Sequence, residues 1–239
     1  MTQRISVPSE FQVNAFTAGS QFGPSVTGLK DGGFVVTWTS HDQDGSDNGI
    51  FGQRYGADGV AAGAEFQINT YTPNGQRDPS VTALSDGGFV VMWDSFAQDR
   101  DRHPVGQRFD AAGAAVGAEF QFDSSITDNQ FEPSVSALSD GGFVVTWQAH
   151  VPAGDPISSG VFGQRYDAAG ALSGTEFQVS VDGNGEASEP SVTVLEGGGF
   201  VVTWKAYDSS GTGIYGQRYD AAGGATGADF LINTTTAEA

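Results

Sequence analysis

The sequence predicts an all-β chain built from repeated sheets, on three observations: a four-fold internal repeat, an abundance of turn residues, and strands with packing groups on both faces. Gly accounts for 35 of 239 residues, 38% are hydrophobic and only 16% are charged, a composition of strands and turns rather than of helices. The 17 Phe, 6 Tyr and 4 Trp supply enough apolar bulk for a core and argue against disorder.

The repeat is the decisive feature. PSVTGLKDGGFVVTW at 24–38 returns as PSVTALSDGGFVVMW at 79–93, PSVSALSDGGFVVTW at 133–147 and PSVTVLEGGGFVVTW at 190–204. A second block, GQRYG at 52–56, returns as GQRFD at 106–110 and as GQRYD at 163–167 and 216–220. A third block has five copies: EFQVN at 10–14, EFQIN at 65–69, EFQFD at 119–123, EFQVS at 176–180 and DFLIN at 229–233. The units run 15–69, 70–123, 124–180 and 181–233, with 10–14 as an extra strand, and the whole chain, 1–239, reads as a single domain.

Each unit reads as four strands. PSVTAL alternates and passes through DGG, a turn signal, into GGFVVTW, rich in β-branched and aromatic residues. In that second strand Phe34, Val36 and Trp38 point one way while Val35 and Thr37 point the other, so it wants cover on both sides. GIFGQRY is the third strand, DAAG a turn, and EFQIN the fourth. The nine-residue connector 70–78 can extend about 30 Å, whereas three inter-strand steps need about 15 Å. The chain can therefore cross from the outer strand of one sheet to the inner strand of the next. That predicts a four-bladed β-propeller of four-stranded antiparallel blades, with an open β-solenoid or half of a larger propeller as the alternatives. The fifth copy of the EFQVN block competes with the last strand for one edge position, which leaves a terminal strand for self-association.

Twenty-nine acidic against 10 basic side chains give a formal charge of −19, which repels nucleic acid and anionic membranes. No apolar run is long enough to span a bilayer, and MTQRISVPSEF has no hydrophobic signal region. The absence of Cys removes thiolate metal sites, disulfides and thiol nucleophiles.

The loops after each Trp diverge most between units, so binding is expected there. In SHDQDGSDNG, Asp42, Asp44 and Asp47 surround Gly45, and alternating carboxylates of this kind point to calcium, although the terminal Glu of an EF-hand is lacking. The corresponding loops hold Asp99 and Asp101, Asp155, and Asp208, where solvated surface is the expectation. Three residues past each Trp stand His41, Phe96, His150 and Tyr207, rings that either stack on sugars or cap a blade core. Phe34, Phe89, Phe143 and Phe200, each paired with a Trp four residues on, are expected to pack between blades. Arg54, Arg108, Arg165 and Arg218 each precede an acid by 11 positions (Glu65, Glu119, Glu176 and Asp229), which predicts structural ion pairs across neighbouring strands.

The tandem PSVTALSDGGFVVTW, GQRYDAAG and EFQVN blocks resemble a repeat found in large acidic secreted bacterial proteins that often carry haemolysin-type calcium segments. The resemblance implies an extracellular or cell-surface location without a cleaved N-terminal signal. It also implies an adhesive or binding role toward a glycan or another extracellular protein. It offers no catalytic residues, and the GGxGxD run of the calcium segments is missing here. No GxSxG, P-loop, HExxH or dinucleotide motif is present. The three His, His41, His103 and His150, fall in different units. The expectation is therefore a non-catalytic binding or adhesion module. The alternative is a glycan-cleaving hydrolase with two acids about 5 to 10 Å apart in one groove.

Overall fold

The computed structural model describes residues 10–96, 102–121, 129–150, 160–180, 187–208 and 211–234. Every regular element in them is a strand. Blade 1 holds β1 (Gln21–Gly28), β2 (Phe34–His41), β3 (Asn48–Tyr55) and β4 (Phe66–Gln67). Blade 2 holds β5 (Gln76–Ala83), β6 (Phe89–Phe96), β7 (Arg102–Phe109) and β8 (Ala115–Gln121). Blade 3 holds β9 (Gln130–Ala137), β10 (Phe143–Ala149), β11 (Gly160–Tyr166) and β12 (Leu172–Gln178). Blade 4 holds β13 (Ser188–Val194), β14 (Phe200–Asp208), β15 (Gly211–Tyr219) and β16 (Phe230–Leu231). Each sheet keeps sequence order and is antiparallel throughout, and the four are arranged as a four-bladed β-propeller in which, among the described residues, buried clusters join blades 1 and 2, 2 and 3, and 3 and 4, but not 4 and 1. Among the described residues no helix is long and apolar enough to cross a membrane.

Local chemistry sets each hairpin. In the DGG turn the amide of Gly33 donates to Asp31 Oδ1 at 2.9 Å, and a side chain on Gly33 would meet the carbonyl oxygen of Tyr55 at 2.2 Å. Only Gly allows the backbone to come that close. Directly across β2 and β3, Phe34 stacks on Tyr55 with ring centres 4.9 Å apart, and Phe89 on Phe109, Phe143 on Tyr166 and Phe200 on Tyr219 repeat the pair. The GQR glutamine binds the next strands together: Gln53 Nε2 donates to the carbonyls of Arg54 (2.8 Å) and Gly63 (3.2 Å).

Blades meet through both faces of their second strands. Val35 and Ile50 of blade 1 pack with Phe89, Val91 and Trp93 of blade 2. Equivalent clusters join blades 2 and 3 around Trp147 and blades 3 and 4 around Trp204. Nearer the axis the inner strands pack in succession, and hydroxyls of one accept from backbone amides of the next. Ser25 Oγ accepts from Val81 (3.2 Å) and Thr27 Oγ1 from Ala83 (3.3 Å); Ser80, Thr82 and Ser134 do the same for Val135, Ala137 and Val192.

Two expectations change. The arginines pair with the acids of the DGG turns rather than with residues 11 positions on: Arg54 with Asp31 (3.6 Å), Arg108 with Asp86 (3.2 Å) and Arg165 with Asp140 (3.0 Å). Arg54 and Arg165 also reach the carbonyls of Ala112 and Ala222 in the following blade, so these side chains tie blades together. Glu65 and Glu119 instead accept the amides of Ala15 and Thr70. The copy of the EFQVN block at 10–14 forms no strand; Phe11 leans on Tyr55 with ring centres 5.4 Å apart, and the Tyr55 hydroxyl donates to the Val13 carbonyl.

Trp147 is wholly buried between blades 2 and 3. Trp147→Ala should lower the unfolding free energy by about 3 to 5 kcal/mol, read from denaturant melts. An unchanged midpoint would show that the junction collapses around the loss.

Candidate active site

The site begins with the residue that precedes each PSV. In the repeat frame this position is Gly23, Asp78, Glu132 and Glu189, and its backbone is left-handed in all four, with φ of 60°, 54°, 58° and 54°. Such angles suit Gly but strain a side-chain-bearing residue, more so before Pro. The strain comes with a register shift at the same point of each inner strand, between Phe22 and Ser25, Arg77 and Ser80, and Ser188 and Ser191, and opposite Thr146 and Gln148 in blade 3. Proline has no amide to give the ladder, so the strand bulges and the preceding side chain is re-aimed. The four X-Pro pairs line one widely open axial cavity, a depression of about 340 Å³.

Polar groups from the second strands and from neighbouring blades hold this ring. The residue after each Trp is Thr39, Asp94, Gln148 or Lys205. Thr39 Oγ1 accepts the Asp78 amide (3.3 Å), Asp94 Oδ2 accepts the Glu132 amide (3.2 Å), and Glu132 Oε2 accepts the Glu189 amide (3.0 Å). Lys205 Nζ donates to Glu189 Oε1 in an ion pair. The hydrogen bond to Glu189 raises the Lys205 pKa. Asp94 is buried, and its Oδ1 has no hydrogen-bond partner among the described residues. Burial pushes its carboxyl well above the usual range, the Asp78 and Glu132 charges push the same way, and the Glu132 amide and Arg102 oppose them.

The residues picked from the loops stand elsewhere. Asp42, Asp44 and Asp47 do not converge: Asp42 pairs with His41 Nε2 (3.3 Å), Asp47 with His41 Nδ1 (3.5 Å) and Arg77 (3.8 Å), and Asp44 accepts the Ser46 amide (3.1 Å). Among the described residues no set of three or more His, Asp and Glu comes together to hold a metal ion. His41 and Asp42 meet, instead of facing opposite ways, because Asp42 turns left-handed (φ 60°) as the strand ends. Asp99, Asp101 and Asp155 lie outside the described residues, as does the side chain of Asp208.

His41, Phe96, His150 and Tyr207 do share the face of the axial cavity. Antiparallel pairing sets the end of each second strand beside the start of the inner strand, as Gln21 opposite Ser40 and Gln76 opposite Ser95 show. Phe96 lies between the guanidinium groups of Arg77 and Arg102, 5.2 and 4.6 Å from its ring centre, while His150 and Tyr207 are exposed. Asp78, Glu132, Glu189, Asp94 and Lys205 were not singled out from sequence. Their signal is variation inside a near-identical frame: G, D, E, E before PSV, and T, D, Q, K after Trp.

No family model and no curated protein matches the chain. Solved structures do. A protein of unknown function from Dyadobacter fermentans superposes with a TM-score of 0.66 at 15% identity, covering 86% of this chain and 67% of its own. An α-L-arabinofuranosidase from Fusarium graminearum gives 0.64 at 11% identity, covering 89% and 66%. An α-L-arabinofuranosidase from Lactobacillus brevis gives 0.55 at 14% identity, covering 83% and 67%. The chain thus spans about two thirds of the length of each. At such identities the likeness carries the fold. The expectation of a non-catalytic binding or adhesion module, and with it the exclusion of an enzyme, is corrected by these matches: the fold is shared with glycan-cleaving enzymes. That exclusion rested largely on missing linear motifs, whereas a pair of carboxylates needs none.

A carboxyl with a raised folded-state pKa holds its proton more tightly when folded, so it is harmless below its unfolded pKa and destabilises the fold as pH rises. Asp94→Asn keeps an oxygen for the Glu132 amide and removes the charge. Its melting temperature should match the parent near pH 3 and exceed it increasingly from about pH 4 upward. Parallel curves across that range would mean that Asp94 is solvated.

Proposed function

We propose that the chain is a glycan-cleaving hydrolase acting at its axial cavity. The observation that carries this reading is the convergence of three carboxylates, Asp78, Glu132 and Glu189, on one cavity, each on a strained bulge residue. Glycoside hydrolysis needs one carboxyl to protonate the leaving oxygen and one carboxylate to act as nucleophile or to activate water. Glu189, ion-paired to Lys205, is assigned the carboxylate role. Glu132 accepts the Glu189 amide and fixes the distance between adjacent blades. Asp78 carries no ion pair among the described residues, and its Oδ1 lies 3.7 Å from where a side chain on Gly23 would begin, within van der Waals contact of the neighbouring blade. Asp78 is assigned the proton donor. His150 and Tyr207, exposed on the same face, supply stacking surface for further sugar units.

A net charge of −19 and an acid-lined cavity disfavour anionic polysaccharides, so the substrate class is a neutral glycan, of which arabinose-containing chains are the first to test. An extracellular setting, where such polymers are met, belongs to the same reading.

Reducing-sugar release from arabinan-type oligosaccharides should be measurable for the parent chain and fall about 10² to 10⁴-fold in Glu189→Gln and in Asp78→Asn, with folding intact by circular dichroism. Binding of the oligosaccharides without turnover by the parent, across a panel of neutral glycans, would sink the hydrolase reading.

A further inference from the structure

Among the described residues the three packed junctions leave one face of blade 4 and one face of blade 1 without cover. Val26 of β1 is 63% exposed, whereas its counterparts Val81, Val135 and Val192 are each 7% exposed. On the other side, Ile214 is 41% exposed where Ile50 and Val161 are fully buried, and Leu195 is exposed where Leu29, Leu84 and Leu138 are buried. The polar contacts stop as well. Arg54, Arg108 and Arg165 lie over Gly113, Gly170 and Gly223 of the following turn, while among the described residues nothing lies over Gly59 of blade 1, and Arg218 is exposed.

The sequence of these two faces departs from the repeat in a matched way. Gly197 stands where Asp31, Asp86 and Asp140 pair with the arginines of their own blades, so Arg218 has lost that acid. Asp58 stands where the other turns have Ala112, Ala169 and Ala222, the position whose carbonyl an arginine of the preceding blade reaches at Ala112 and Ala222. Likewise the position of Lys30, which reaches the Ser85 carbonyl of the next blade, is Glu196 in blade 4, and the turn that Glu196 would reach bears Lys30. Each face carries the charge that the other lacks.

We propose that a second copy of this chain covers both faces, blade 4 of each docking on blade 1 of the other to close a two-fold ring. The occupant must bring the inner-strand hydroxyls, the apolar second-strand face and Arg218 at repeat spacing, and this chain carries all of them. Among the described residues its own blade 4 shares no buried cluster with its own blade 1, and the three junctions that do pack, built of buried side chains, hold the blades in place. Phe11 already fills the place against Tyr55 that Phe66 holds against Phe109, so the incoming blade need not bring that ring.

Sedimentation equilibrium of the parent chain should give twice the 24.8 kDa monomer mass, and Val26→Glu should give the monomer. Arg218→Glu alone and Asp58→Arg alone should each weaken association about tenfold or more, since each sets like charges against one another at both junctions. Mixing the two variants should restore parent-like dimers, because both junctions of the mixed ring then pair opposite charges. These sites are exposed, and parent-like circular dichroism spectra with cooperative melting would confirm folding. A monomeric parent at about 100 µM would overturn the proposal, as would open-ended filaments, or reversals without effect on association.

Discussion

The inner strand of every blade has one edge without a sheet neighbour, and its amides need partners away from bulk water. At the three packed junctions the hydroxyls of PSVT provide them, Ser25 and Thr27 for Val81 and Ala83, Ser80 and Thr82 for Val135 and Ala137, and Ser134 for Val192. This cross-blade ladder is what the remaining structure depends on. It spaces the inner strands, and with that spacing the second-strand aromatics and valines reach across to the next blade. It also explains why the block repeats as PSV with Ser or Thr rather than as a purely apolar strand.

The site follows from where that ladder breaks. Proline at the start of each block donates no amide, so the strand bulges and the residue before it turns into the cavity. A left-handed carboxylate residue would not hold that conformation alone. Here it is fixed from both sides, by proline and the ladder after it and by Thr39, Asp94 or Lys205 beside it. Precision at the axis is thus inherited from the scaffold, and the cavity varies in chemistry while its backbone stays constant. The concentration of acids has a cost, visible in the buried Asp94 that is driven toward its protonated form by desolvation and by the charges of Asp78 and Glu132.

Much of the fold was legible because a repeat exposes its own frame. The strand pattern, the DGG and DAAG turns, the burial of Trp147 between blades and the propeller itself follow from periodicity, Gly placement and two-faced strands. Partner choice was less legible. Spacing matches Arg54 to Glu65, yet its guanidinium reaches Asp31 in the DGG turn of its own blade and the Ala112 carbonyl in the turn of the next. The loop acids Asp42, Asp44 and Asp47 stand out in sequence as alternating carboxylates around Gly45; in the structure Asp42 and Asp47 lie beside His41, Asp47 also reaches Arg77 of the next blade, and Asp44 accepts the Ser46 amide.

What the sequence by itself determined was the unit: its length, its strands, its turns and its number, all written in contacts between residues near one another in the chain. Only the tertiary structure decided which positions of different units face each other. Asp78, Glu132 and Glu189 are about 55 residues apart in sequence, and they become neighbours solely because four inner strands converge on one axis. The same convergence decided that Val26 and Ile214, ordinary members of the repeat by sequence, stand exposed while their counterparts are buried. Local patterns encode what a strand is; the closing angle between blades, summed over three junctions, fixes what it meets.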